Sequence, residues 1–306
     1  MNKDVIDLIG NTKMVKIDEM NKETNSDIFI KLEGTNPGGS IKDRPVKKMF
    51  ELAEKRGNLK PGDTVIEPTS GNTGIAIALI SKVKGYNAIL VMPETMTEER
   101  INLMKMYGAE IILTDGSKGM NGSIELAEKL RSENDYLMLD QFKNEGNYLA
   151  HYQNTGEEII EQLMDIDIFA AGVGTGGTVT GVGKKLKEYN KGIKVVALEP
   201  ANSAVLSGEE PGSHKISGIG AGFIPEIMDT SVIDEVIKIT DDEAFDHTKQ
   251  LLDKEGLFTG ISTGANIAGA LKLAKRYSNK KIVTVSPDNG WKYMSVLDYA
   301  KEDHND

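Results

Sequence analysis

Residues 167–183 read DIFAAGVGTGGTVTGVG. The apolar run DIFAAGV (167–173) has the length and composition of a buried strand, and it passes directly into Gly174-Thr175-Gly176-Gly177-Thr178. The following TVTGVGKKLKEYN (178–190) has a helical period. Strand, glycine turn and helix in this order make the first half of a βαβ unit. Glycine lets the backbone approach a ligand closely, the turn's N–H groups converge on one point, and the helix N-terminus adds positive potential there. Such a turn suits a phosphate group. Five consecutive small residues are more than a plain βα turn requires.

The alternation extends outward on both sides. Downstream, IKVVALEP (193–200), VIDEVIKIT (232–240) and KKIVTVSP (280–287) read as strands. DDEAFDHTKQLLDKEG (241–256) and NIAGALKLAKRYS (266–278) read as helices, and residues 202–230 as irregular chain rich in Gly, Ser and Pro. Upstream, GNYLAHYQNTGEEIIEQL (146–163) reads as one helix. Before it, TVIEP (64–68), NAILVMP (87–93), AEIILTDG (109–116) and YLMLDQF (136–142) read as strands. Helices GIAIALISKVKG (74–85), TEERINLMKMYG (97–108) and SIELAEKLRSE (123–133) separate them, with Thr97 as a candidate N-cap and Gly108 as a stop. Short apolar strands alternating with helices indicate parallel sheets. The predicted class is α/β, with two doubly wound, mostly parallel sheet domains meeting near residue 145 and a ligand cleft between them.

Composition narrows the chemistry. The 306 residues are 39% hydrophobic and 27% charged, which excludes a disordered chain. With no Cys, a disulfide scaffold, a thiolate metal site and a thiol nucleophile are excluded. Four His without an HExxH pairing point to no metal site. A net charge of −11 argues against nucleic acid as a partner. The N-terminus MNKDVIDLIG lacks the apolar run of a signal peptide and no apolar stretch reaches membrane-spanning length, so no membrane partner and a cytoplasmic location are expected. The acidic tail SVLDYAKEDHND (295–306) reads as solvated or frayed.

Two further clusters bear on the ligand. Gly172-Val173-Gly174-Thr175-Gly176-Gly177 also satisfies the dinucleotide pattern, with Glu199 at the end of the next strand, so an NAD-dependent dehydrogenase competes. That alternative leaves EPTSGNTGIAIA (67–78) unexplained, where Thr69-Ser70-Gly71-Asn72-Thr73-Gly74 joins a strand to a helix and suits a carboxylate. It also leaves KLEGTNPGGSIKDRPVKKMF (31–50), in which Lys42 follows a Gly-Gly-Ser turn where a helix could begin. A partly desolvated lysine there has a lowered pKa and acts as a nucleophile or Schiff-base former. A phosphate cradle, a carboxylate cradle and an activated lysine together match a pyridoxal-phosphate enzyme acting on an amino acid.

On these segments, with LIGNTKMVKI (8–17), GAEIILTDGSKGMNGSIELA (108–127), DQFKNEGN (140–147), HKISGIGAGFIPE (214–226) and GISTGAN (260–266), the chain resembles the cysteine synthase (O-acetylserine sulfhydrylase) family. The resemblance implies pyridoxal-phosphate fold type II, the tryptophan synthase beta-like fold. It implies a smaller mobile domain over 40–145 and a larger one from 1–39 plus 146–306. Lys42 would hold the cofactor as an internal aldimine and move the substrate α-proton. Asn72 would bond the ring hydroxyl, Gly174, Thr175, Gly176, Gly177 and Thr178 the phosphate, and Ser262 the pyridine nitrogen. Thr69, Ser70, Gly71, Thr73 and Gln141 would hold the substrate carboxylate. The implied reaction is β-replacement, O-acetyl-L-serine plus sulfide giving L-cysteine and acetate. The alternatives on the same core are sulfide release from cysteine with serine or lanthionine formation, and cystathionine β-synthase chemistry. A homodimer is implied, and some members dock the C-terminal tail of serine acetyltransferase. The chain departs from the family pattern at Asn154-Thr155-Gly156-Glu157-Glu158, Ser217, Gly290-Trp291-Lys292-Tyr293 and Pro45. None of these is expected to touch the catalytic core, but Ser217 is expected to face the substrate's β-substituent.

Overall fold

The computed structural model describes residues 4–96, 98–294, 296 and 297. Thr97 and the tail beyond Leu297 lie outside the described residues. The N-terminal half carries β1 (Met14–Ile17), β2 (Asp27–Leu32), α1 (Asp43–Lys55), β3 (Thr64–Pro68), α2 (Asn72–Lys84), β4 (Asn87–Pro93), α3 (Glu98–Met106), β5 (Glu110–Thr114), α4 (Gly119–Asn134) and β6 (Leu137–Met138). The rest carries α5 (Gly146–Ala150), α6 (Gly156–Gln162), β7 (Ile168–Gly172), α7 (Gly177–Tyr189), β8 (Lys194–Pro200), β9 (Glu235–Ile239), α8 (Asp241–Glu255), α9 (Ile261–Arg276) and β10 (Lys281–Ser286).

Two sheets form. A four-stranded parallel sheet has the order β5-β4-β3-β6, and a six-stranded sheet has the order β1-β2-β10-β7-β8-β9. The larger sheet is parallel except where β1 pairs antiparallel with β2. Its strands are buried on both faces. Ile28, Ile30 and Val196 look to one core, and Phe169, Val195 and Val283 to the other. The two N-terminal strands escape the sequence alternation because only a single 3-10 turn at Glu19–Asn21, and no α-helix, separates them and because Lys31 interrupts the second. Lys31 is fully buried and tolerated there because its ammonium pairs with Glu158 at 2.8 Å.

Helix α2 is buried continuously from Thr73 to Ser81, and α9 from Ile261 to Leu271. Helices apolar on all sides belong inside a protein, and here each presents its N-terminus to the space between the sheets. A buried ion cluster fixes α1. Arg44 bonds Glu33 and Glu158 at 2.6 Å each, joining the end of β2 and α6 to the first turn of the helix that follows Lys42. Pro45 fits without cost, since a first-turn N–H has no intrahelical acceptor to lose.

Three elements differ from the sequence reading. The strand expected over 136–142 ends at Met138, because the amides of Leu139, Asp140 and Gln141 turn to the Glu67 carboxylate at 3.1, 3.1 and 3.3 Å. The helix expected over 146–163 contains a π turn at His151–Thr155. Helix α9 begins at Ile261 rather than 266. Its Gly264 is required for contact with α8, where a Cβ would lie 2.0 Å from the Ala244 carbonyl oxygen.

Candidate active site

In a parallel sheet the loops that follow the strands share one edge, and this edge of both sheets faces a cleft. The turn after β3 contributes residues 69–73, the turn after β7 residues 174–178, and the segment after β10 Pro287 and Asp288. A cavity of about 260 Å³ is lined by Lys42, Thr69, Ser70, Gly71, Asn72, Thr73, Gln141, Gly174 and Thr175. A deeper recess shares Lys42, Asn72, Gly174 and Thr175 and adds Gly176, Thr178 and Ser262. The predicted site residues therefore meet in one place, with one exception. Gly177 is not among the lining residues, and a Cβ there would lie 2.0 Å from Asn147 Oδ1, so the turn packs against Asn147 at this position.

Lys42 stands at the N-cap of α1, half-buried, its backbone N–H donating to Ser40 Oγ at 3.2 Å. Among the described residues its ammonium has no hydrogen bond or ion pair. Desolvation lowers its pKa to about 8, against the opposing pull of Asp288. The amides of Gly174, Thr175 and Gly176 likewise donate to no protein acceptor among the described residues, and they precede the N-terminus of α7. Ser262 opens α9 and lines the recess. Thr73 Oγ1 donates to Gln141 Oε1 at 2.7 Å, which turns the amide nitrogen of Gln141 outward.

Several site residues carry no local signal in the sequence. Asn147 donates to both the Gln141 carbonyl, at 2.7 Å, and Thr175 Oγ1, at 2.9 Å, tying the two ligand turns together. His151, on the π turn, lies 3.3 Å from Thr178 Oγ1 and 2.9 Å from Thr155 Oγ1, and burial holds its pKa well below the usual value. Glu67, whose carboxylate orders Leu139–Gln141, is pushed up to about 7 by burial. Asp288 accepts from Asn72 Nδ2 and from the Tyr293 hydroxyl, both at 2.8 Å, and burial raises its pKa.

Lys292 corrects an expectation. Its ammonium donates to Asn72 Oδ1 at 2.8 Å and to the carbonyls of Gly39 and Gly38 at 3.0 and 3.2 Å. This departure from the family pattern therefore reaches the predicted cofactor residues. Lys292 occupies one lone pair of the Asn72 oxygen while Asp288 takes one N–H of the same amide, and the two contacts together fix which way the amide faces. The dinucleotide alternative also meets an obstacle. Glu199 is 2% exposed and its carboxylate is committed to Leu206 N, Ser207 N and Ser207 Oγ, leaving nothing for a ribose.

Pyridoxal phosphate needs an amine for its aldehyde and N–H donors for its phosphate. The unpaired Lys42 ammonium and the free amides of 174–176 supply both within one recess, where Gly174 has no room for a Cβ. This chain belongs to the pyridoxal-phosphate dependent enzymes, whose family matches residues 5–288. Within them it is a cysteine synthase relative. It is 47% identical over 302 residues to the cysteine synthase of Staphylococcus aureus strain N315, covering 98% of this chain and 97% of that one. Two solved structures superpose closely. Cysteine synthase from Entamoeba histolytica is 41% identical with a TM-score of 0.96, covering 100% of this chain and 93% of that one. A hydrogen sulfide-producing enzyme from Fusobacterium nucleatum is 46% identical with a TM-score of 0.92, covering 96% and 100%. The cofactor is thus pyridoxal phosphate, and the enzyme is of the β-replacement type. No described helix is long and apolar enough to cross a membrane.

Proposed function

We propose that this enzyme replaces the acetoxy group of O-acetyl-L-serine with sulfide, giving L-cysteine and acetate. The observation that carries the reading is the shared cavity, in which Lys42 faces both the 69–73 turn and Gln141. Bound pyridoxal phosphate supplies the carbonyl that accepts the amino group and the ring that acidifies the α-proton. In this reading Lys42 Nζ holds the cofactor and then takes the α-proton, a role for which a pKa of about 8 is suited near neutral pH. Asn72 donates to the ring hydroxyl, the 174–178 segment holds the phosphate, and Ser262 faces the ring nitrogen. Thr69, Ser70, Gly71, Thr73 and the outward amide of Gln141 bind the α-carboxylate, and closure of this turn, carried by a mobile 40–145 domain, excludes water.

A second reading rests on Ser217, a small hydroxyl that lines the cavity with Tyr293 and that the family resemblance would set against the β-substituent. With cysteine as first substrate, the same residues release hydrogen sulfide, and water or a second cysteine adds to give serine or lanthionine. The decisive experiment compares acetate release from O-acetylserine plus sulfide with sulfide release from cysteine, at matched concentrations. Faster sulfide release from cysteine would exchange the two readings. A homodimer is part of the proposal, tested by sedimentation. Docking of a serine acetyltransferase tail is tested by titrating that C-terminal peptide against the holoenzyme.

A further inference from the structure

Gln141 lines the cavity opposite no strand turn of its own, and its placement depends on a residue that does not reach the cavity. Glu67 lies on β3, 2% exposed, two residues before Thr69. Its Oε2 accepts from the amides of Leu139 and Asp140, both at 3.1 Å, and its Oε1 from the amide of Gln141 at 3.3 Å. A buried carboxylate is tolerated when donors surround it, and here all three donors come from one stretch of backbone. That stretch is bent. Asp140 has a φ of +53°, in the left-handed region, a strained conformation for a non-glycine residue that persists only where its surroundings over-determine it. Glu67 holds the amides before, at and after the bend. Asn147 then donates to the Gln141 carbonyl and Thr73 to its side-chain oxygen, both at 2.7 Å. Gln141 is thus fixed by backbone and side chain, and its amide nitrogen is the group left to meet a ligand.

We propose that Glu67 is a positioning residue for the substrate α-carboxylate, its carboxylate holding the bend at Asp140 that brings the Gln141 amide to the 69–73 turn. The inference rests on the reading of Gln141 as a carboxylate ligand. Protonation of Glu67 would set an O–H donor among three N–H donors and loosen the segment. Burial pushes this group up to about 7 against the pull of those amides, so the hold is complete above pH 8 and is lost as pH falls through 7. The elements packed against β3 meet it with apolar residues. These are Leu90 and Met138 on the neighbouring strands, Phe50 of α1 and Ile75 of α2 in one core, and Ala127 and Leu130 of α4 in the other. The charged neighbour of Glu67 is Asp140, which acts in the same direction as burial.

L-Alanine, which has the α-carboxylate but no leaving group, is the probe, with L-alaninamide as its uncharged counterpart. Dissociation constants are read from the absorbance change of the holoenzyme. At pH 8, Gln141→Ala should weaken alanine binding about tenfold or more, the loss expected for one charge-assisted hydrogen bond. Glu67→Gln should approach the same loss for alanine, with little change in alaninamide or cofactor affinity. Combined with Gln141→Ala it should add little, because it acts only through Gln141. A merely structural role would weaken both ligands alike and add in full, and that result overturns the proposal. Should Glu67→Gln fail to fold, wild type and Gln141→Ala suffice. The ratio of their alanine dissociation constants, in which the ligand's own ionisation cancels, should shrink from about tenfold at pH 8 toward unity at pH 5.5. A ratio constant over that range overturns the proposal, as does alanine binding by Glu67→Gln equal to that of wild type. If instead Gln141→Ala binds alanine as wild type does, the reading of Gln141 itself is wrong and the proposal falls with it.

Discussion

The depressed pKa of Lys42 makes a quantitative prediction about cofactor uptake. Only the unprotonated amine attacks the aldehyde of pyridoxal phosphate. At a pKa of about 8, roughly one Lys42 in ten is unprotonated at pH 7, against about one in 3,000 for a lysine at 10.5. Between pH 7 and pH 9 the reactive fraction rises about tenfold and then levels, whereas for an ordinary lysine it would rise about a hundredfold with no bend. The assay is stopped-flow absorbance of the apoprotein mixed with pyridoxal phosphate from pH 7 to pH 10, the rate being fitted to a single titration. Burial is the main cause of the shift and Asp288 opposes it, so Asp288→Asn should move the bend to lower pH. The stability of the apoprotein should follow the same group. Between about 8 and 10.5 the unfolded chain binds the proton that the folded one has lost, so folding stability rises with pH across that window. An uptake rate still climbing without a bend at pH 9.5 would refute the reasoning. It would mean that Lys42 is solvated like a surface lysine.

Three other perturbations test neighbouring parts of the argument. Gly174→Ala places a Cβ 2.3 Å from the Gly218 carbonyl oxygen, a backbone atom that cannot yield as a side chain would. Cofactor affinity should fall about tenfold or more while far-UV circular dichroism is retained, since the strained turn directs the phosphate donors. Lys292→Met frees the Asn72 oxygen and two carbonyls, so equilibrium titration should show weaker cofactor binding and a changed visible spectrum, with partial recovery in Lys292→Arg. Glu158→Gln leaves Arg44 and Lys31 short of a carboxylate in a buried cluster and should cost about 3–5 kcal/mol in urea unfolding. In wild type the Glu158 pKa is lowered to about 2, so its stabilisation is complete above pH 4.5 and fades as pH falls toward 2. Melting curves from pH 6 to pH 3 should therefore be shallower for the variant.

What the sequence reveals about this site depends on how far apart the cooperating residues lie along the chain. The turns at 69–74 and 174–178 are legible because each unites its strand, its donors and its helix N-terminus within a dozen residues. Lys42 is legible only beside them, since nothing in SIKDR alone distinguishes it from a surface lysine. Asp288, Lys292 and Tyr293 are not legible by motif, but topology could have found them. PDNGWKY follows the apolar strand KKIVTVS just as GTGGT follows DIFAAGV, and parallel strands deliver both segments to one edge of the sheet. The parallel pairing of β7 with β10 thus implies the proximity of Asp288 and Tyr293 to the 174–176 turn, whereas the contact of Lys292 with Asn72 joins the two sheets and follows from neither sheet alone. The N-terminal hairpin is a different case. DIFIKL is apolar enough for a buried strand apart from Lys31, and a lysine is admissible there only if a carboxylate meets it. That carboxylate, Glu158, belongs to α6 and is itself held by Arg44 of α1. No local window contains the three, although their meeting is what compensates the buried Lys31 charge in β2, between β1 and β10. The same cluster anchors the helix whose N-cap is Lys42, so the ion network illegible in the sequence is what sets the position of its most reactive residue.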